Sequence, residues 1–431
     1  MLRTSRLLDF ASEKELIAQT GHRPEHWPLV ILKELVDNAL DACEEAGVAP
    51  VIEVAVDGDG ITVTDNGPGL PADVVKDVLD FTIRVSSREA YVSPTRGAQG
   101  NALKTLVAMP FVLDGERGQV EIEALGVRHI IAMSVDRIRQ EPVIDHKVET
   151  CERKVGTAVR VPLAVPPRSI PDDDRERFLQ IATDYAWLNP HLALTVDWYG
   201  ERTTVEPTDA GWQHWTPSEP TSPHWYTIDH LERLVAGYIA HDQDNGCERT
   251  VRELVAEFRG LSGTAKQKAV LNETGLARAP LSQLINGNGL DRGAVGSLLT
   301  AMKAKSGPVK PARLGVIGRA HFEARFAAAG CEMESFDYKR IMDTTDGVPW
   351  IVETAFGWCP EADERRLVTG VNWSPGIVNP FRELGRFSTS LDTILSQQRA
   401  DRGEPVTLVL HMVCPRVEYT DRGKSAVVVK S

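Results

Sequence analysis

Cysteine pairs, long apolar runs and an excess of positive charge are all missing from this sequence of 431 residues. Its six cysteines lie far apart and form no Cys-x-x-Cys pair, so neither a zinc site nor a disulfide framework is predicted. No apolar run approaches the roughly 20 residues of a membrane-spanning helix, and the first residues lack the apolar core of a signal peptide. We therefore expect a cytoplasmic protein in a reducing compartment, with no membrane partner.

The composition is that of an ordinary globular protein. Hydrophobic residues make up 42% of the chain and charged residues 25%, which excludes a fibrous or largely disordered chain. The formal net charge is −13, so the chain as a whole repels polyanions, and any contact with DNA requires a local basic patch. A chain of this length exceeds one ordinary core, so two or three domains are expected.

Three regions with different patterns predict an α+β fold of three domains. Residues 1–242 alternate helical and strand patterns, whereas residues 243–305 predict short helices separated by Gly, Asn and Pro. Residues 306–431 mix strands with a helix near 388–399, which indicates a second α+β layer. We take these three ranges as the predicted domains.

Local patterns inside the first region are more specific. Residues 27–46 have apolar residues at helical spacing, and residues 51–67 predict a hairpin with its turn at Asp57 to Gly60. Residues 175–188 predict another helix, and residues 201–223 suggest a covering loop or linker because they are rich in proline and polar residues.

Positive charge is concentrated between Arg249 and Arg319. This window has 12 basic and four acidic residues, a net charge of 12 − 4 = +8 in an acidic chain. Such an asymmetry predicts a basic surface for a phosphate backbone. The alternative is a solvated helical surface followed by a Lys/Pro linker at 303–313.

The segment ELVDNALDA concentrates polar chemistry on one helix. Glu34, Asn38 and Asp41 are spaced i, i+4 and i+7, so they project from one face. Glu34 can orient or deprotonate a water, and Asn38 can offer an oxygen to Mg²⁺, which prefers hard oxygen ligands and phosphates. A polar stripe on a surface helix is the alternative.

A glycine-containing turn follows one strand-like run, and a Gly-Thr pair opens a later one. In DNGPG, the glycines Gly67 and Gly69 permit close backbone approach, and Asp65 at the strand end can accept a hydrogen bond from an adenine amino group. Thr157, in the Gly-Thr pair that opens a later strand, can hold a base or a water beside Asp65. An ordinary turn is the alternative interpretation of DNGPG.

The segment RGAQGNALK, which starts at Arg96, is a glycine-containing loop that runs into an apolar helix. Such a junction directs free backbone N–H groups at an anion and can cradle phosphates, although the P-loop spacing is missing. Lys104 is expected to be a solvated helix residue, with a phosphate contact as the alternative.

These boxes, in this order, resemble the nucleotide-binding boxes of the GHKL ATPase superfamily. Further segments resemble the B subunit of topoisomerase VI across nearly the whole chain: ELVDNALDACEEAG, WLNPH, TVRELVAEF, LGVIG, LVTGVNWSP and RGKSA. The resemblance implies a GHKL (Bergerat) α/β sandwich over 1–242 and a helix-two-turns-helix-like insert over 243–305. It also implies a transducer domain of ribosomal-S5-like α+β topology over 306–431.

The same resemblance implies roles for individual residues. Glu34 becomes the general base or water-orienting residue, Asn38 the Mg²⁺ ligand, and Asp65 the adenine reader with Thr157 beside it. Lys424 takes the position of a transducer lysine that reaches the γ-phosphate of ATP, a task that suits a compact charge on a flexible stem. The other implied nucleotide contacts are Asp41, Gly67, Gly69, Arg96, Gly97, Gln99, Gly100, Asn101, Ala102 and Lys104.

The resemblance implies an ATP- and Mg²⁺-dependent clamp that dimerises through its GHKL domains. Its expected partners are DNA, through the basic region 249–319, and a separate DNA-cleaving A-like subunit, because the chain has no recognisable cleavage apparatus. Ala102 stands where the family usually has a third glycine, and the chain ends at Ser431 without the extended segment that docks the cleaving subunit. The complex is therefore expected to be a type IIB topoisomerase or a mobile-element or defence system, and a nucleotide-sensing module with little hydrolysis is the alternative.

Overall fold

The computed structural model describes residues 10–79, 90–96, 102–114, 118–136, 138, 141–163, 172–244, 246–287, 289–384, 389–419 and 426–427. Its helices are α1 Glu13–Thr20, α2 Trp27–Glu45, α3 Ala72–Val78, α4 Ala102–Asp114, α5 Asp172–Leu188, α6 Ile228–Asp244, α7 Val251–Ala256, α8 Thr264–Thr274, α9 Arg292–Lys305, α10 Arg319–Ala328 and α11 Leu391–Gln397. Among the helices in these ranges, none is both long and apolar enough to cross a membrane.

The strands belong to two large sheets and one small ribbon. They are β1 Val51–Val56, β2 Gly60–Thr64, β3 Gly118–Ala124, β4 Val127–Asp136, β5 Glu141–Thr150, β6 Thr157–Pro162, β7 Ala193–Trp198, β8 Glu201–Val205, β9 Ile285–Asn286, β10 Gly289–Leu290, β11 Glu332–Thr345, β12 Val348–Trp358, β13 Arg366–Val371, β14 Ser374–Pro375 and β15 Val406–Val413. The fold is therefore of the predicted α+β class.

The first sheet has eight strands in the order β5-β4-β3-β6-β2-β1-β7-β8. Neighbours are antiparallel except β1 and β7, which are parallel and are separated along the chain by β2 to β6. Helices α2, α4 and α5 pack on the sheet around one apolar core. Because β2 and β6 are antiparallel, the residue after β2 lies beside the first residue of β6.

The local signals in this layer produced the expected elements. Helix α2 has Pro28 in its first turn, where the missing N–H costs nothing, and it ends just before Gly47 in a left-handed conformation. Between β1 and β2, the Asp57 side chain accepts hydrogen bonds from the amides of Asp59 and Gly60, which closes the predicted hairpin. The prediction of a loop from residue 201 is wrong for Glu201–Val205, because these residues form β8.

The second and third regions share a core. Helices α6 to α9 pack together, and the same cluster of buried residues continues into the second large sheet, whose order is β11-β12-β15-β13-β14. Strands β13 and β15 are parallel, and the other neighbours are antiparallel. Helix α6 runs across the predicted boundary at residue 242, and both domain boundaries stay predictions.

The expectation that no disulfide forms is wrong for one pair. Cys331 and Cys359 are bonded, and they flank the paired ends of β11 and β12, where Glu332 lies opposite Trp358. Strand register brings these cysteines together across 28 residues of chain, a relationship that their spacing alone does not reveal.

Candidate functional site

Asp65 lies at the end of β2 and is held by two backbone amides. Its Oδ1 accepts hydrogen bonds from the N–H groups of Gly67, at 2.8 Å, and Thr157, at 3.1 Å. Its own N–H donates to the Thr157 carbonyl at 2.9 Å, and Gly156 donates to the Gly67 carbonyl at 3.0 Å. The sheet thus brings together Asp65, Gly67 and Thr157, although Thr157 lies far from the other two in the sequence.

The carboxyl group of Asp65 is nearly enclosed. Asp65 is 9% exposed and Thr157 is 8% exposed. Burial raises the pKa of Asp65 above its ordinary value, against the opposing effect of the two N–H donors. Because one oxygen is fixed by the backbone, the carboxylate has a defined direction in which to accept a further donor, as the recognition of an amino group requires.

The backbone around this turn is packed so closely that a side chain does not fit at Gly156. Its φ of +72° is left-handed, and a Cβ there would lie 1.8 Å from the Asp65 carbonyl oxygen. Gly69, at φ +87°, is similarly tight, because its Cβ would lie 2.9 Å from the Leu125 side chain. Gly69 fits the predicted role of close backbone approach. Gly156 also shapes the site, although sequence reasoning assigned it no specific role.

Helix α2 carries the predicted polar face. Glu34 is half-buried, Asn38 is exposed, and Asp41 is half-buried, while apolar residues on the other faces enter the core. Glu34 and Asn38 are therefore both accessible from the same side of the helix.

Arg96 lies at the C-terminal end of α2 in a buried charge network. Its Nη1 lies 2.7 Å from Asp41 Oδ1 and 2.5 Å from Glu44 Oε2, and its Nη2 lies 2.6 Å from Glu44 Oε1 and 2.6 Å from Asn189 Oδ1. Burial raises the pKa of Asp41 to about 7, although the Arg96 charge opposes this rise. Burial also acts to raise the pKa of Glu44, yet the charges of Arg96 and His214 hold it well below its ordinary value. Arg96 and Asp41, both predicted nucleotide contacts, here contact each other.

Two histidines complete this network, which we call the Glu44 hub: Asp41, Glu44, Arg96, Asn189, His191 and His214. The Nε2 atoms of His191 and His214 each lie 2.9 Å from a Glu44 oxygen. The His214 ring also lies over the Trp373 ring, with 3.8 Å between centroids. The hub therefore joins the first layer to the turn between β13 and β14.

Sequence reasoning missed Glu44, His191 and His214 as members of one cluster. One signal in the sequence could have pointed to this cluster. Asn189 and His191 lie in WLNPH and Trp373 lies in LVTGVNWSP, and both segments are among those that carry the resemblance. The segments ELVDNALDACEEAG, WLNPH and LVTGVNWSP, which are among those that carry the resemblance, therefore lie together at the hub.

The phosphate-loop prediction falls mostly outside the described residues. Gly97, Gln99, Gly100, Asn101 and Lys424 lie there. Ala102 begins α4, as the loop-to-helix pattern predicts. Lys104 is 7% exposed, so the expectation of a solvated side chain is wrong, because α4 packs this part of its length into the first layer.

The basic region has much of its charge offset by neighbouring acids. Six of its twelve basic residues lie within 4 Å of a carboxylate: Arg249, Arg259, Arg292, Lys305, Arg313 and Arg319. Several of their partners, such as Glu219 and Asp229, lie outside the window, where the sequence count did not include them. Lys268 and Arg278 are exposed and make no ion pair in the part of the chain that the structure describes.

Comparison with known proteins connects this geometry to a family. Residues 25–164 match the family described as histidine kinase-, DNA gyrase B-, and HSP90-like ATPase. Over 173 residues the chain is 32% identical to the B subunit of type 2 DNA topoisomerase 6 from Natronomonas pharaonis, a match that covers 38% of this chain and 21% of that protein. The corresponding subunit from Archaeoglobus fulgidus is 26% identical over 193 residues, covering 43% and 31%.

Two solved structures are also similar to the chain. The B subunit of DNA gyrase from Myxococcus xanthus has 14% identity and a TM-score of 0.38, with 97% of this chain and 86% of that chain covered. The N-terminal domain of a DNA repair protein has 10% identity and a TM-score of 0.41, covering 93% and 87%. The matched segments span between a fifth and a third of the two curated relatives.

Proposed function

We propose, from the premise that residues 25–164 form an ATPase domain of the GHKL superfamily, that this chain hydrolyses ATP and dimerises as an ATP-gated clamp. The observation that carries the proposal is the fixed carboxylate of Asp65, held by the amides of Gly67 and Thr157 in a nearly enclosed site. A carboxylate oriented in this way suits the amino group of adenine.

In the proposed reaction a water attacks the γ-phosphorus, and the bond from that phosphorus to the bridging oxygen of ADP breaks. Glu34 orients this water and takes its proton. Asp65 and Thr157 position the adenine end, so most of the acceleration comes from holding the reacting groups in line.

The donor set on α2 fits a magnesium ion bound together with ATP phosphates. Asn38 presents an exposed amide oxygen one helical turn from the carboxylate of Glu34, and hard oxygen ligands of this kind suit Mg²⁺. Mg²⁺ bound there would neutralise phosphate charge. Asn38 would hold it, and Glu34 would orient the water.

The similarity to the B subunit of topoisomerase 6 supports a role in DNA processing. We propose that the clamp is the B-like subunit of a cytoplasmic DNA-cleaving complex, a type IIB topoisomerase or a related mobile-element or defence system. A separate A-like subunit supplies strand cleavage, and the basic region contacts DNA. Co-purification of such a subunit, with ATP-dependent relaxation of supercoiled DNA, supports the topoisomerase. Cutting without relaxation supports a nuclease.

Solution mass is the primary test of the clamp. Mass is measured with and without Mg²⁺ and a non-hydrolysable ATP analogue, for the wild type and for Asp65→Asn, which presents an amide donor to the adenine amino group. The proposal expects a nucleotide-dependent shift from monomer to dimer that the variant lacks. Nucleotide binding without any shift in mass would contradict the autonomous clamp.

Phosphate release separates an ATPase from a nucleotide sensor. The wild type should release phosphate steadily, and Glu34→Ala should abolish release while still binding the analogue. Equal and negligible rates in both proteins would support the sensing module instead.

A further inference from the structure

The turn between β13 and β14 places two bulky residues in left-handed backbone. Asn372 has φ 50° and Trp373 has φ 62°, and both are buried. A non-glycine residue in this region costs on the order of 1–2 kcal/mol, and a buried tryptophan there is uncommon. Such a conformation persists only where surrounding contacts impose it.

Contacts from β15 and from Cys414, which follows it, hold this turn on the side of the second sheet. The Asn372 N–H donates to the Met412 carbonyl at 2.8 Å, and the Cys414 N–H donates to Asn372 Oδ1 at 2.9 Å. The Trp373 N–H donates to His411 Nε2 at 3.1 Å. The turn is thus a rigid extension of the third region.

Contacts on the opposite side reach the ATPase layer at three places. Asn372 Nδ2 donates to the Thr95 carbonyl at 3.2 Å, immediately before Arg96. Asn189 Nδ2 donates to the Trp373 carbonyl at 2.9 Å. Ser374 Oγ lies 2.7 and 2.9 Å from the two carboxylate oxygens of Asp37 on α2.

The contact at Ser374 involves residues of α2 that lie on either side of Glu34 in the sequence. Lys33 and Asp37, which flank Glu34 on α2, form an ion pair of 2.7 Å, and the Lys33 ammonium also donates to Ser374 Oγ. Tyr185 OH donates to Asp37 Oδ1 at 2.8 Å from helix α5. Asp37 and Ser374 are each 5% exposed, so this cluster works in a low-dielectric setting.

We propose that the Asn372–Ser374 turn is a positioning device for ATP hydrolysis, which acts through Ser374, Asp37 and Lys33 to set the rotation of α2 and thus the direction of Glu34. The inference rests on the proposed ATPase function. Ser374, Asp37 and Lys33 are positioning residues in this scheme, because they act through Glu34.

The chemistry of the cluster favours positioning over simple adhesion. Apolar side chains would join α2 to the third region without requiring one orientation, whereas a hydroxyl shared between an ammonium and a carboxylate is satisfied in one geometry only. Lys33 and Asp37 lie one residue before Glu34 and three after it, so the fixed cluster constrains the helical turn that carries Glu34. A movement of the third region that shifts Ser374 would therefore reach the hydrolytic residue directly.

Ser374→Ala tests this inference, with Ser396→Ala on the exposed face of α11 as a matched control. Steady-state turnover and the Kd of a non-hydrolysable ATP analogue are measured well below the melting temperature of each variant. Ser374→Ala should lower kcat by about tenfold or more and change the Kd by less than about threefold, because small misplacements of a reacting group are costly. Ser396→Ala should match the wild type.

A double variant checks that Asp37 and Ser374 act together. Asp37→Asn combined with Ser374→Ala should lose little more turnover than the stronger single variant, because both changes break one contact. Additive losses would overturn the shared pathway. A lower melting temperature for Ser374→Ala, with kcat within about twofold of the wild type, would overturn the positioning role and leave a purely structural one.

Hydrogen exchange keeps the inference testable if the wild type shows no turnover, an outcome that would defeat the proposed ATPase function. The amides of residues 33–38 are then compared in the wild type and Ser374→Ala. Faster exchange in the variant supports control of α2 by the turn, and unchanged exchange overturns it.

Discussion

Arg96 holds Glu44 by two parallel contacts, with Nη1 2.5 Å from Oε2 and Nη2 2.6 Å from Oε1. Both side chains are buried, with 1% and 5% of their surface exposed. The paired geometry matches the planar fork of a guanidinium to a carboxylate, which a lysine would not reproduce. This contact fixes the start of the predicted phosphate loop to the C-terminal end of α2.

Arg96→Ala should therefore destabilise the fold strongly. Removing one partner of a buried ion pair leaves the other charge uncompensated, which costs about 3–5 kcal/mol. Urea unfolding followed by tryptophan fluorescence measures the loss. Arg202→Ala is the matched control, because Arg202 pairs with Glu53 and Asp197 at the surface, where solvent screens such contacts and makes their contribution to stability small. Similar midpoints for the two variants would show that the hub is not a source of stability.

Acidification should destabilise the fold through His321. Its Nε2 lies 2.9 Å from the Trp187 carbonyl and its Nδ1 lies 2.5 Å from Thr208 Oγ1, so the neutral ring donates at one end and accepts at the other. Burial, aided by the Arg325 charge, lowers the pKa of His321 from 6.5 to about 4. Between these values the unfolded chain binds a proton that the folded chain does not, so this contribution is complete above pH 6.5 and is lost as the pH falls to about 4.

The size of this loss of folding stability follows from the shift in the pKa of His321. At about 1.36 kcal/mol for each pKa unit, His321 contributes about 3 kcal/mol to the decline. His321→Gln should flatten that part of the stability profile, because the amide still donates to the Trp187 carbonyl and does not titrate. An unaltered decline in His321→Gln would show that other groups cause it.

The sequence predicted those parts of the fold whose signals are local. Helix α2 followed from apolar spacing, and the β1–β2 hairpin followed from the Asp57 turn. Strand β8 was wrongly predicted to be a loop. Nearly all of its residues are exposed, so its sequence lacks the alternation of apolar and polar residues that marks a half-buried strand. Thr157 was expected beside Asp65, but the pairing of β2 with β6 that brings them into contact across 92 residues has no local signal.

The Glu44 hub shows where local signals end. Its members come from four separate segments, and Arg96 and His214 lie 118 residues apart while their side chains approach to 3.5 Å. A buried charge network is recognisable only when partners are known, since each member alone has the pattern of an ordinary polar residue. The packing of α2 against the WLNPH segment decides this contact.

Gly156→Ala should weaken nucleotide binding strongly. The added Cβ would lie 1.8 Å from the Asp65 carbonyl oxygen, and the left-handed backbone adds strain, so the turn that orients the carboxylate must shift. Titration calorimetry with an ATP analogue should show at least about a tenfold weaker affinity, the effect of about 1.4 kcal/mol. Gly58→Ala is the control, because nothing lies within 4 Å of its Cβ, and it should bind normally. Normal binding by both variants would remove Asp65 from the nucleotide site.

The exposed cations of the second region should carry any DNA contact. Lys268 and Arg278 are exposed and make no ion pair among the described residues, whereas Arg292 lies 2.5 Å from Asp229 and 2.9 Å from Glu232. A free cation releases counterions from the phosphate backbone when it binds, and a cation already paired must first leave its carboxylates.

Replacing Lys268 and Arg278 by glutamine should weaken binding to duplex DNA and reduce the dependence of log K on log salt by roughly 0.9 for each lost phosphate contact. Fluorescence anisotropy over a series of salt concentrations gives both quantities. Arg292→Gln should leave the salt dependence nearly unchanged, because this cation already pairs with Asp229 and Glu232 and is not expected to contact a phosphate. If Arg292→Gln lowers the slope as much as the double replacement, the phosphate contact is spread over the whole basic region, and local ion pairing does not select the DNA-binding face.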